Sequence, residues 1–220
     1  MHVAMIYNAM DDTNAHGKMD RRIMAHLADE HEITVFATSF DNPDPSRIDF
    51  VRVPSPGRPL LLQFVVFHLM AALCYLGERL RGRSFDVVHF HDVDLLFGDV
   101  CYCQFCNTAY VAGADIGRVR SLRQLVRSTD HRLRAAIEPF VLGRAKRIVV
   151  PTKGLADELT QLWGRAVGDK VTVIPNFIPV ESYRPPVDDE GSEVRQSLGI
   201  PADALLCVFV ALGHFERKGL

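Results

Sequence analysis

Short apolar runs rich in β-branched residues alternate along the chain with segments whose apolar positions recur at helical spacing. That alternation is the signature of βαβ units and a parallel sheet. The first run is His2-Val3-Ala4-Met5-Ile6-Tyr7, and a polar loop carries the chain to Gly17. Met19, Ile23, Met24 and Leu27 then share one side of a helix. Strands are predicted over 33–37 and 48–53, the second closed by Pro54, Pro56 and Pro59. An apolar helix over 60–76 follows, then strands over 85–90 and 100–105. A long helix spans 121–143, with Pro139 set to bend it. A strand at 147–150, a helix over 152–163 with Thr152 as N-cap, and a strand at 170–174 complete the series. The fold class is α/β: a Rossmann-like parallel sheet with helices on both faces. In such a sheet every strand-to-helix turn opens on one edge, where ligands bind. Segments 8–17, 89–94, 104–108 and 151–153 should therefore surround a single crevice.

After Pro175 the pattern changes. Prolines and the acidic run Asp188-Asp189-Glu190 mark a linker over 181–203, with a short helix at 194–198 ended by Gly199. Residues 1–180 read as the sheet domain. Residues 204–220 read as the first strand (205–212) and loop of an incomplete second domain.

Composition narrows the functional classes. The 220 residues are 48% hydrophobic and 24% charged, with a net charge of −2, which argues against a nucleic-acid binder. The five cysteines, an odd number, and an N-terminus that begins on a strand point to a reducing cytoplasm. Between residues 60 and 76 only Gln63 and His68 interrupt the apolar run. The run is shorter than the roughly 20 residues of a membrane span, so the expectation is a helix buried against the sheet.

Candidate chemistry gathers at the predicted strand ends. His89 and His91 lie on one face of their strand and Phe90 on the other, followed by Asp92 and Asp94. A zinc reading would add Cys101, Cys103 and Cys106, yet no CxxC…CxxC pairing occurs. The cysteines read as small core residues and no metal is expected. A dinucleotide oxidoreductase needs G-x-G-x-x-G after the first strand and an acidic ribose partner further on, and neither is present. On the helix over 121–143, Leu122, Leu125, Leu133, Ile137 and Phe140 fall on one side, and Arg120, Arg123, Arg127, His131 and Arg134 on the other. The basic side fits a solvated surface or a contact with anionic lipid.

Four strings occur in register: Phe85-Asp86-Val87-Val88-His89-Phe90-His91, Ala145-Lys146-Arg147-Ile148-Val149-Val150-Pro151-Thr152, Lys170-Val171-Thr172-Val173-Ile174-Pro175-Asn176 and Gly213-His214-Phe215-Glu216-Arg217-Lys218-Gly219-Leu220. Through them the chain resembles family 4 glycosyltransferases, retaining enzymes with two facing Rossmann-like domains (the GT-B architecture). The resemblance implies the N-terminal half of that fold, a nucleotide-sugar donor, a glycan or lipid-linked acceptor and no cofactor. It implies that Arg217 and Lys218 neutralise the donor diphosphate; an exposed basic turn is the alternative. His16, Gly17, His91, Asp92 and Asn107 are the implied acceptor contacts. Gln104 takes the catalytic position where related enzymes often carry a histidine. An amide can hydrogen-bond a sugar hydroxyl but takes up no proton near neutral pH. The family's glutamate motif would lie beyond residue 220, so the isolated chain is not expected to turn over. A non-catalytic carbohydrate- or lipid-binding module is the competing reading. Phe177 follows Asn176 where the family usually has glycine, which bears on the turn after Pro175.

Overall fold

The structure, a computed structural model, describes residues 1–11, 15–113, 122–178, 180, 183–185, 187 and 190–210, with the backbone alone at 15, 16, 18, 122 and 123. The chain divides into two compact units, Met1–Phe177 and Ile178–Leu220.

In the first unit the sheet holds seven strands: β1 (His2–Ile6), β3 (Glu32–Ala37), β5 (Ile48–Arg52), β6 (Val87–His91), β7 (Val100–Tyr102), β8 (Arg147–Val150) and β9 (Val171–Val173). Their order is β5-β3-β1-β6-β7-β8-β9 and every pairing is parallel. A separate two-stranded parallel ladder joins β2 (Ala9–Met10) to β4 (Ser39–Phe40). Two-residue strands carry no periodicity for a sequence reading to find. The helices are α1 (Ala15–Leu27), α2 (Leu60–Leu80), α3 (Asn107–Gly113), α4 (Leu122–Arg144), α5 (Lys153–Trp163) and α6 (Arg165–Gly168).

Strand alternation sorts two cores. Val3, Met5, Tyr7, Ile33 and Val35 face α1 and pack with Met24. Ala4, Ile6, Phe36, Val88, Phe90 and Ile148 face the other way, against Phe64, Phe67 and Ala71 of α2, Val141 and Leu142 of α4, and Leu159 of α5. Helices thus cover both faces. Thr152 is the N-cap of α5, its Oγ1 accepting the Leu155 N–H at 3.2 Å.

Two helices depart from their expected burial. On α2 only Phe64, Phe67, Ala71 and Glu78 are buried, and the opposite side stands in solvent. Apolarity all round the helix does not report how many sides the protein covers. Its polar residues turn to protein: the His68 ring nitrogens lie 2.7 Å from the Phe64 and Val93 carbonyl oxygens, and Gln63 Nε2 lies 3.3 Å from Asn8 Oδ1.

On α4 the interior row is charged. Asp130, Arg134 and Glu138 line up with Val141; of the predicted core side, Leu133 and Ile137 pack against the core, while Leu125 and Phe140 are about half exposed. Arg134 bonds Asp130 at 3.0 Å, approaches Asp94 at 3.5 Å and stacks 4.4 Å over Phe64. His131 Nδ1 lies 3.1 Å from Asn107 Oδ1. Paired charges can be buried, and here they shift the phase that the apolar pattern predicts. Arg120 and the side chain of Arg123 lie outside the described residues.

Glu138 accepts the backbone N–H of Asn107 and of Thr108, each at 2.8 Å, and so caps α3. The helix continues through Pro139, and Thr108 Oγ1 donates to the Ala135 carbonyl at 3.3 Å.

The second unit holds α7 (Glu190–Ser197), with no buried residue. Arg184 grips Glu190 through two bonds of 2.9 Å, and Gly199, at φ +66°, stops the helix. Residues 205–210 form no strand, contrary to the sequence reading: a run of β-formers needs a paired neighbour, and Leu205, Val208 and Val210 are exposed.

Candidate functional site

The order in which successive strands are added to the sheet reverses between β1 and β6, while all strands stay parallel. β3 and β5 lie on one side of that junction and β7, β8 and β9 on the other. Ligands bind outside the carboxyl ends of strands at such a switch point. The residues there are Tyr7 after β1, His89, His91 and Asp92 on and after β6, Tyr102 and Gln104 on and after β7, and Asn176 beyond β9.

On the α1 side of the sheet the aromatic rings are contiguous. Tyr7 lies 4.0 Å from His91 between ring centroids, and His91 meets Tyr102 edge-on at 4.9 Å. His91 Nε2 is 3.5 Å from Asp20 Oδ1 of α1, and both residues are buried. Tyr7 OH lies 3.3 Å from His89 Nδ1. Burial, then the charge of His91, drives the His89 pKa from 6.5 down to about 3, so this imidazole is neutral at physiological pH. Burial and the Asp20 charge push the Tyr7 phenol well above its usual value.

Asp92 is strained. Its φ is +42°, the only positive φ outside glycine among the described residues, in a region that Asp tolerates better than most residues. Its Oδ1 accepts the backbone N–H of Gln104 at 2.7 Å and of Phe105 at 3.3 Å. Withdrawal from water raises its carboxyl pKa from 3.8 to about 6, against the lowering by His91 and those two N–H groups. Asp92 therefore sets the path of the chain that carries Gln104.

A relay of hydrogen bonds then orients Gln104. Tyr102 OH donates to Asn176 Oδ1 at 2.6 Å, a length suited to O–H···O. Asn176 Nδ2 donates to Gln104 Oε1 at 3.1 Å, a length suited to N–H···O. With Oε1 engaged, Gln104 Nε2 is left as a buried donor that has no partner among the described residues. The Asp20 Oδ2 acceptor has none among them either. Buried polar atoms are rarely left unmatched, and those that are tend to mark function.

Gln104, His91 and Asp92 thus converge on this edge. Gly17 falls inside the first turns of α1 rather than in the preceding loop, and the His16 side chain lies outside the described residues. Asn107 is buried, its amide engaged with Glu138 and His131. Arg217 and Lys218 lie outside the described residues. Sequence reasoning missed Asn176, Asp20 and Tyr102 as site components. The string ending in Pro175-Asn176 was the available signal for the first. Phe177 takes no positive φ, and Arg22 of α1 packs 5.6 Å over its ring. Cys101, Cys103 and Cys106 are buried apart from the relay, and burial pushes the Cys106 thiol up to about 12.

The chain is similar to proteins of known structure. WaaG, a glycosyltransferase involved in lipopolysaccharide biosynthesis, superposes with a TM-score of 0.64 at 17% identity, over 91% of this chain and 52% of that one. A UGT transferase from Siraitia grosvenorii, in complex with UDP, gives 0.51 at 9% identity, over 90% and 52%. Apo UGT2 of Phytolacca americana gives 0.50 at 9% identity, over 81% and 53%. The chain thus spans about half the length of each, and at these identities the likeness shows the fold, that of GT-B glycosyltransferases. No curated protein matches it. The sequence profile of Glycosyltransferase Family 4 matches residues 21–182, a stretch that includes His91, Asp92, Gln104 and Asn176, and the chain belongs to that family.

Proposed function

We propose that this chain is the acceptor-binding half of a sugar transferase, which uses a nucleotide-sugar donor and a glycan or lipid-linked acceptor at the cytoplasmic side. The observation that carries the reading is the unmatched Gln104 Nε2, oriented through Asn176 and Tyr102 at the switch point. A fixed amide donor suits a hydroxyl or ring oxygen of a sugar. Neutral His89, at the same edge, is poised to exchange hydrogen bonds without carrying charge. Positioning rather than proton transfer by Gln104 is its contribution to the reaction.

In this reading residues 1–180 are the acceptor-side domain and 181–203 the linker. Residues 204–220 begin the nucleotide-sugar lobe, where Arg217 and Lys218 meet the diphosphate and stabilise its developing charge. His16 and Gly17 would meet the acceptor or diphosphate from the start of α1.

Glycan screening by NMR on the 15N-labelled chain tests the acceptor assignment. Shifts should concentrate at the Gln104 and Asn176 side-chain amides. Shifts confined to the opposite edge of the sheet, or none with any glycan, would sink it. The 220-residue chain, given nucleotide-sugar and a bound glycan, should release no nucleoside diphosphate; release coupled to transfer would refute the division of labour.

A further inference from the structure

The solvent side of α2 carries six apolar residues in one straight row: Leu62, Val65, Leu69, Leu73, Leu76 and Leu80. Their spacings of three and four confine them to a sector of about 80° on a 3.6-residue helix. Each is 49–80% exposed, whereas the opposite side of the helix packs on the sheet through Phe64, Phe67 and Ala71. Single exposed leucines are ordinary, but a continuous apolar band along 21 residues of helix marks an interaction surface.

The ends of the band have a defined charge. From residue 58 to 83 the charged side chains are Arg58, Arg79, Arg81 and Arg83 against one glutamate, Glu78. Arg81 and Arg83 pair with Glu78 at 2.6 and 3.2 Å, which leaves Arg58 and Arg79 as the cations at the two ends. No charge lies between Arg58 and Glu78. Cations at both ends of an apolar band match a lipid surface: the leucines enter the acyl boundary and the guanidinium groups stay among the phosphates.

We infer that α2 docks this protein, lying in the membrane plane, on an anionic lipid bilayer. Three observations favour lipid over other occupants. A second copy packed band to band would bring Arg58 against Arg79 if antiparallel, or each of these arginines against its own copy if parallel. Either arrangement opposes like charges that anionic headgroups would neutralise. A helix that crossed the bilayer would have to leave the core it shares with Phe36 and Phe90 and strip His68 of its Val93 carbonyl partner. Because α2 links two parallel strands, its outward row also looks away from the sheet, not toward the strand-end crevice where a second lobe would close.

Vesicle sedimentation tests the docking, and its vesicles carry no glycan, so its failure and that of the sugar-binding reading are separable. The protein should sediment with vesicles of phosphatidylglycerol and phosphatidylcholine in equal parts, and about tenfold less with phosphatidylcholine alone. Leu69→Glu/Leu73→Glu should weaken binding by about 100-fold with the circular dichroism unchanged. Should the glutamates disturb folding, Leu69→Ser/Leu73→Ser provides the same comparison without added charge. Arg58→Gln/Arg79→Gln should abolish the preference for the anionic lipid while keeping the weaker binding. The inference is overturned if the wild-type protein stays in the supernatant, or if the variants at 69 and 73 sediment as it does. It is equally overturned if those variants merely dissociate a dimer that never bound vesicles.

Discussion

The two edges of the sheet differ in how fully they match their polar groups. At the amino edge charges are matched. Lys146 meets Asp99 at 2.6 Å, and Arg83 meets Asp49 at 2.8 Å and Glu78 at 3.2 Å. A groove of roughly 420 Å³ there, lined by His2, Arg47, Asp49 and Arg83 among others, holds such partners. At the carboxyl edge Asp92 sits at a positive φ with a raised pKa, His89 is held neutral, and Gln104 Nε2 and Asp20 Oδ2 find no partner among the described residues. His31 Nδ1, just before β3, is also unmatched among the described residues, so the contrast is one of degree. An edge that serves the fold mostly satisfies itself, whereas an edge that serves a ligand keeps more capacity unspent. The groove at the amino edge is thus a weaker site candidate than the crevice, despite its volume.

Titration gives the largest test of that contrast. Folded His89 stays neutral down to about 3 while its unfolded form takes a proton near 6.5, so His89 costs stability as pH falls between those values. Folded Asp92 takes a proton near 6 and its unfolded form only near 3.8, so Asp92 returns stability as pH falls through that window. The two effects oppose each other between about pH 6 and 4. His89→Asn should therefore gain about 2 kcal/mol relative to wild type across that interval, and Asp92→Asn should lose about as much. Denaturant melts at both pH values measure this. Parallel pH profiles for all three proteins would mean that the carboxyl edge is no less matched than the other.

Asp92→Ala at neutral pH comes next. It removes the acceptor for two backbone N–H groups, at a cost of about 2 kcal/mol, partly offset by release of a strained carboxylate. Glycan-induced shifts at Gln104 should vanish with it. Tyr102→Phe is smaller in stability, about 1 kcal/mol, but it frees Asn176 to rotate. The side-chain amide signals of Asn176 and Gln104 should broaden and glycan affinity should fall about tenfold. Retained affinity would demote the relay to packing. The smallest effect is expected at the amino edge: Lys146→Met breaks a largely exposed pair worth less than about 1 kcal/mol and should leave glycan binding unchanged.

The sequence displayed this architecture unevenly. All seven strands of the large sheet were legible, β7 and β9 with longer bounds than they have, because apolar runs bounded by turns leave few alternatives. The crevice followed, since parallel strands share one edge. The burial of α2 was misjudged for a physical reason: composition shows that a helix is apolar, not which neighbours cover it. The phase of α4 was only partly right: Leu133 and Ile137 face the core as expected, but Asp130, Arg134 and Glu138 hide their charges in internal pairs and displace Leu125 and Phe140. The relay was invisible because Asn176 and Gln104, 72 residues apart, meet only when β7 and β9 take their places on the same sheet.

Pro139 has a consequence for specificity of assembly. With no N–H of its own, it cannot occupy the Ala135 carbonyl, which the Thr108 hydroxyl takes instead. A standard residue at 139 would let α4 close that bond upon itself and compete with its neighbour for the acceptor. The proline therefore acts as a reservation: it withholds one docking point from the long helix so that the short one, which follows the Gln104 loop, always finds the same berth.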